Sequence, residues 1–147
     1  MSDKRDQLLA VIDSDLRQDV TDFRALRELM QGLYEHLLQR DTPHIERLNQ
    51  QITDLLEQVG LRAQRRVKVL GAFRLSGDGA GMNRLLALYP ATRRSDLQQQ
   101  WTQLEQLIGE CKRLNERNGK LLAMHNDVLN QLLADLGDGS LYGFSGY

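Results

Sequence analysis

A chain of 147 residues with 41% hydrophobic, 27% charged and only 5% aromatic side chains has the composition of long helices with narrow apolar seams, not of a thick mixed core. Its 19 basic and 20 acidic residues leave a net charge of −1, which removes the electrostatic reason to collect nucleic acid as a main activity. The single cysteine, Cys111, excludes an intrachain disulfide and fits a reducing compartment.

The opening Met1-Ser2-Asp3-Lys4-Arg5-Asp6 runs straight into an amphipathic pattern. It offers no signal-peptide h-region, and no stretch reaches the roughly 20 apolar residues of a membrane helix; a cytoplasmic protein with no direct membrane insertion is expected. The first helix is predicted over about 3–39, with Leu9, Ile12, Leu16, Val20, Phe23, Met30, Leu33 and Leu37 spaced by threes and fours. At ~1.5 Å per residue such a helix is about 55 Å long, too long for a compact globule of this size. Asp41-Thr42-Pro43 breaks the run, with Thr42 as the predicted N-cap and Pro43 in the first helical turn. A second helix over 43–70 carries Ile45, Leu48, Ile52, Leu55, Leu56, Val59, Ala63, Val67 and Leu70. The short connection makes these two helices antiparallel neighbours.

Residues 71–94 are glycine-punctuated and read as an irregular connection, with a short extra helix around Leu85, Leu86 and Leu88 before Pro90. A third long helix is predicted over 95–136, opened by the capping box Ser95-Asp96-Leu97-Gln98 and closed by Gly137-Asp138-Gly139. The expected fold is all-α: an elongated antiparallel bundle or hairpin of three long helices, one domain over 1–136, followed by a flexible tail over 137–147.

No catalytic, cofactor-binding or metal-ligating constellation stands out. His36, His44 and His125 have no Cys or His partner at ligand spacing, and are expected on solvated helix surfaces. Cys111 falls on the apolar seam, where a buried small side chain is the expectation. Gly77-Asp78-Gly79-Ala80-Gly81 lacks the Gly-Lys-Ser/Thr ending of a phosphate loop and follows no strand, so it reads as a flexible connector. Arg62, Arg65, Arg66, Lys68, Arg74, Arg93 and Arg94 form a basic middle. Without interleaved aromatics it reads as a solvated face favoured near a helix C-terminus, not as a nucleic-acid patch. No enzyme is expected.

The leucine surplus near the end carries more. Apolar residues at 121, 122, 124, 128, 129, 132, 133 and 136 make a stripe wider than one a/d seam. Periodicity alone leaves two readings open: a second packing partner inside the protein, or a face held for another protein's amphipathic helix.

The run Leu114-Asn115-Glu116-Arg117-Asn118-Gly119-Lys120-Leu121-Leu122, the leucine-rich helix after it, and the tail Leu141-Tyr142-Gly143-Phe144-Ser145-Gly146 together resemble the FlgN family of flagellar type III export chaperones. Asn115, Asn118 and Gly119 carry the first motif; the first two-thirds of the chain match only in style, and this chain stops at Tyr147, where longer members continue. The resemblance implies a protein that binds C-terminal helical segments of the hook–filament junction proteins FlgK and FlgL. It implies that the protein prevents their premature association and delivers them to the export-gate membrane protein FlhA. It also implies a client face on Leu121, Leu122, Val128, Leu129, Leu132, Leu133 and Leu136, with gate docking through Tyr142 and Gly143. Two other readings stand beside it: a self-associating helical rod whose wide stripe is a homo-oligomer interface, and an adaptor using the basic middle.

Overall fold

The computed structural model describes residues 2–121 and residue 134. Among these residues run three long helices and one short one: α1 (Ser2–Gln39), α2 (Thr42–Ala72), α3 (Gly79–Leu86) and α4 (Ala91–Gly119). No strand occurs among the described residues.

The apolar positions spaced by threes and fours on α1 are the ones that disappear from solvent. Ile12, Leu16, Phe23 and Leu26 are fully buried, joined by Ile52, Leu56, Val59 and Leu70 of α2 and Leu97, Leu104, Ile108 and Cys111 of α4. Burying each such side chain contributes roughly 1.5–3 kcal/mol. α1 is the shared wall of the bundle, packing against both α2 and α4, while α3 touches the other two.

The pairings fix the directions. Asp15 meets Arg65 and Asp22 meets Arg62, so α2 runs antiparallel to α1. Asp13 meets Arg93, Phe23 meets Cys111 and Met30 meets Asn118, so α4 runs parallel to α1. The bundle goes up, down and up, with residues 73–90 crossing one end.

The helix ends refine the boundaries expected from sequence. α1 closes with Asp41 N–H donating to the His36 carbonyl (3.1 Å) and Arg40 N–H to the Leu37 carbonyl (3.2 Å), with Arg40 at φ 56°. This is a Schellman motif. α2 ends the same way: Leu75 N–H reaches the Leu70 carbonyl (2.9 Å), and Arg74 N–H reaches the Gly71 carbonyl (3.0 Å) with Arg74 at φ 59°. Both left-handed positions hold arginine, not the glycine that adopts this conformation at least cost. Asp41, not Thr42, is the N-cap of α2; its carboxylate accepts from the His44 backbone N–H.

α4 starts at Ala91, one turn before the predicted capping box, and Pro90 is its N-cap without a side-chain cap bond. The early start has two visible supports: Arg94 donates to the Tyr89 carbonyl at 3.1 Å, and Arg93 pairs with Asp13 across the bundle at 2.7 Å. α4 then ends at Gly119, with Lys120 and Leu121 in a turn closed by Leu121 N–H to the Asn118 carbonyl (3.0 Å). The continuous run expected over 95–136 therefore passes through Gly109 but gives way to a turn after Gly119.

Candidate functional site

The motif residues singled out in the sequence gather where α4 ends, and they face inward. Asn115 and Asn118 are each only 3% exposed. Asn118 donates its side-chain N–H to the Met30 carbonyl of α1 at 2.9 Å. Arg117, between them, lays its guanidinium over the Tyr34 ring, 3.7 Å from the centroid, within cation–π range. These contacts clamp the last turn of α4 onto α1. Leu121 leaves the clamp 47% exposed, so the first leucine of the predicted client stripe emerges toward solvent. Leu122, Val128, Leu129, Leu132, Leu133, Leu136, Tyr142 and Gly143 lie outside the described residues.

The middle of the bundle holds a polar seam missed in the sequence. Asp15, Asp19 and Asp22, at spacings of four and three, sit on one face of α1; Arg62, Arg65 and Arg66 face them from α2. Arg62 donates from Nε to Asp19 at 2.5 Å and also holds Asp22; Arg65 grips Asp15 through two bonds of 2.7 Å; Arg66 holds Asp19. Asp19 and Arg66 side chains are fully buried, and Arg66 also lies 5.7 Å from the Trp101 ring of α4. Burial pushes the Asp19 carboxyl up, against the pull of its two arginines. Arg93, at the bundle end, pairs with Asp13 and Asp96. The expectation of a solvated basic face is thus corrected for Arg62 and Arg66, which are buried against carboxylates because the antiparallel hairpin brings an acidic row and a basic row into register; Arg65, paired with Asp15, keeps its side chain half exposed. Lys68 and Arg74 remain exposed.

The glycine-rich segment is a capped helix start, not a flexible connector. Asp78 accepts from Gly81 N–H at 3.0 Å and from the Ser76 hydroxyl at 2.6 Å. Those bonds, the Ser76 hydroxyl first and then the Gly81 N–H, hold its carboxyl below the usual range despite some opposing desolvation. Gly81 packs so tightly that a Cβ there would lie 1.7 Å from the Ser76 carbonyl oxygen.

Cys111 is buried, its Sγ directed at the Phe23 carbonyl at 3.7 Å. Burial, with a smaller push from Glu110, raises the thiol to about 12. It stays protonated at neutral pH and makes a poor nucleophile.

His44 is exposed and His36 half-buried, in keeping with a helix surface, but the two are not isolated from one another. His36 and His44 stack, with ring centroids 4.6 Å apart and planes 5° from parallel. Both Nδ1 atoms face Asp41 Oδ2, at 3.5 Å and 2.6 Å. Burial nudges Asp41 upward. The bonds from the His44 backbone and ring, with the attraction of both imidazoles, more than offset that and hold its carboxyl low. His125 lies outside the described residues.

A model of the FlgN protein family matches residues 9–143. The chain belongs to the FlgN family. A crystal structure of a Pseudomonas aeruginosa protein, described as a flagella synthesis protein FlgN, superposes with a TM-score of 0.76 at 21% identity. The match covers 84% of this chain and 93% of that one, and at this identity it establishes the shared fold. No curated protein sequence matches the chain. Membership in FlgN supports a flagellar chaperone role, implies flagellar protein partners, and sets the chain in a family of chaperones, not enzymes. No helix among the described residues is long and apolar enough to cross a membrane.

Proposed function

We propose that this FlgN-family chain is a cytoplasmic flagellar export chaperone for the C-terminal helical segments of the hook–filament junction proteins FlgK and FlgL. The observation that carries this reading is the family match itself, which runs through the leucine stripe and ends at Gly143, so it takes in the Leu141-Tyr142-Gly143 start of the tail motif. The exposed exit at Leu121 supports it further. A client segment that is disordered before assembly exposes an apolar stripe. Covering that stripe with Leu121, Leu122, Val128, Leu129, Leu132, Leu133 and Leu136 prevents premature association, at the ordering cost that coupled folding carries. Tyr142, a rigid ring with a hydroxyl and Gly143 beside it, is of the side-chain type that anchors interfaces; it docks the loaded complex on the export gate FlhA.

The test is a calorimetric titration of the full chain with a C-terminal FlgK or FlgL fragment. A one-to-one complex that disappears when the client helix is deleted is expected. Leu129→Asp with Leu132→Asp should abolish it, whereas Tyr142→Ala should bind the fragment normally and lose FlhA pull-down. A protein that ignores both fragments and instead shows concentration-dependent light scattering is the self-associating rod.

A further inference from the structure

We propose that the tip of the α1–α2 hairpin is a binding site for a divalent transition-metal ion of the zinc type, with His36, Asp41 and His44 as its protein ligands. It stands independently of the chaperone reading.

The backbone holds the three residues together before any ion arrives. His36 is in the last turn of α1, Asp41 lies between the helices, and His44 is in the first turn of α2. The Schellman bond ties Asp41 N–H to the His36 carbonyl at 3.1 Å, and the α2 cap ties the His44 N–H to the Asp41 carboxylate. The hairpin therefore positions the ligands with the same bonds that close it.

The side chains converge as a donor set. One ligand atom from each residue can be chosen so that all lie within 4.8 Å of one another. His36 Nδ1 is enclosed and makes no hydrogen bond among the described residues, while it faces Asp41 Oδ2 at 3.5 Å. Ligands held at about 2.0–2.2 Å from a tetrahedral ion are about 3.4 Å apart, so that pair is already at working distance. His44 Nδ1, at 2.6 Å, sits too close for two ligands and is where a hydrogen bond now stands. Binding requires both imidazoles to carry their proton on Nε2 and the stacked pair to open, so that two Nδ1 lone pairs meet one point. His44, 48% exposed at its side chain, has the freedom to turn.

Two imidazoles and one carboxylate select the ion. Magnesium and calcium need oxygen ligands, whereas zinc, cobalt, nickel and copper accept this nitrogen-rich set. Three protein ligands leave a fourth position for water. The effect of occupancy is mechanical: the ion cross-links the end of α1 to the start of α2, and binding to the folded chain alone stabilises it by mass action.

The test uses full-length protein stripped with a chelator and titrated with zinc by calorimetry. Cobalt absorbance serves as a second readout. One ion per chain is expected, with tetrahedral cobalt bands lacking thiolate charge transfer. His36→Gln, Asp41→Asn and His44→Gln should each weaken binding about tenfold or more. Asp41→Asn keeps the helix cap, since asparagine caps as well as aspartate, so its loss of affinity separates ligation from folding. The wild-type Tm should rise with zinc, and the His36→Gln/His44→Gln double variant should not respond while keeping its helical circular dichroism. A wild type that binds zinc no better than that double variant overturns the proposal. So does binding that survives the double substitution and is lost in His125→Gln, or cobalt spectra that report Cys111.

Discussion

Asn118 and Met30 are 88 residues apart in sequence and joined by a single bond: the asparagine amide donates to the methionine carbonyl at 2.9 Å in a buried setting. Asn118→Ala removes that bond and should cost about 1 kcal/mol. Asn118→Asp places an acceptor-only charge against a carbonyl and should cost about 3 kcal/mol or more. Urea unfolding followed through Trp101, on the same helix, measures both. Equal and negligible effects would mean that the motif does not clamp α4.

The Asp19 seam gives an ordering of losses. Asp19→Ala removes the carboxylate shared by Arg62, which keeps Asp22, and by the fully buried Arg66; a loss of about 3–5 kcal/mol is expected. Arg66→Met should cost clearly less, because Asp19 keeps Arg62 at 2.5 Å and the methionine fills apolar space near Trp101. Equilibrium unfolding of the two variants decides it, and the reverse order would contradict the assigned pairing.

Gly81→Ala is the severe small substitution in this chain. The new methyl would meet the Ser76 backbone oxygen at 1.7 Å, so the 76–81 turn has to move. More than about 2 kcal/mol of destabilisation is expected. Gly60→Ala, where a Cβ meets nothing within 4 Å, should instead gain up to about 1 kcal/mol from helix propensity. Thermal unfolding of the pair separates the steric effect from the propensity effect.

Asp13 sets an acid-side prediction. The Arg93 hydrogen bond, against an opposing effect of burial and with help from Arg17, holds its carboxyl below 3.8. A carboxyl lowered on folding contributes stability that is complete above the unfolded value and is lost as pH falls through the folded value. Stability should therefore drop as pH is taken below 3.8, and Arg93→Gln should make that drop shallower. Urea midpoints of the two proteins at neutral and acid pH test the sign.

Much of the bundle could be read from residue spacing because burial follows period: the threes and fours from Leu9 to Leu37 are the positions lost to solvent. The seam was legible in principle. Three aspartates spaced by four and three on α1 and the Arg62, Arg65, Arg66 set on α2 needed only the antiparallel register to meet. Within α2 alone a solvated face is the ordinary explanation of the basic residues, and only the partner helix supplies the acidic row. Helix starts were misplaced where local chemistry offered two caps. Thr42 and Ser95 are good N-caps by type, but the adjacent Asp41 caps at least as well, and the Arg93–Asp13 pair acts on the start of α4 from outside the local pattern. The histidine pair was invisible for a similar reason: a left-handed Arg40, not a sequence motif, folds His36 back over His44.

The parallel course of α4 along α1 has a consequence for the order of assembly. α1 and α2 need only the two-residue link at Arg40–Asp41 to zip together, whereas the α1–α4 bonds of Arg93, Cys111 and Asn118 each close a loop of 80 or more residues. Loop closure of that length carries an entropic cost before any contact rewards it. On a growing chain the hairpin can form as soon as it emerges, and α4 is expected to settle into place last.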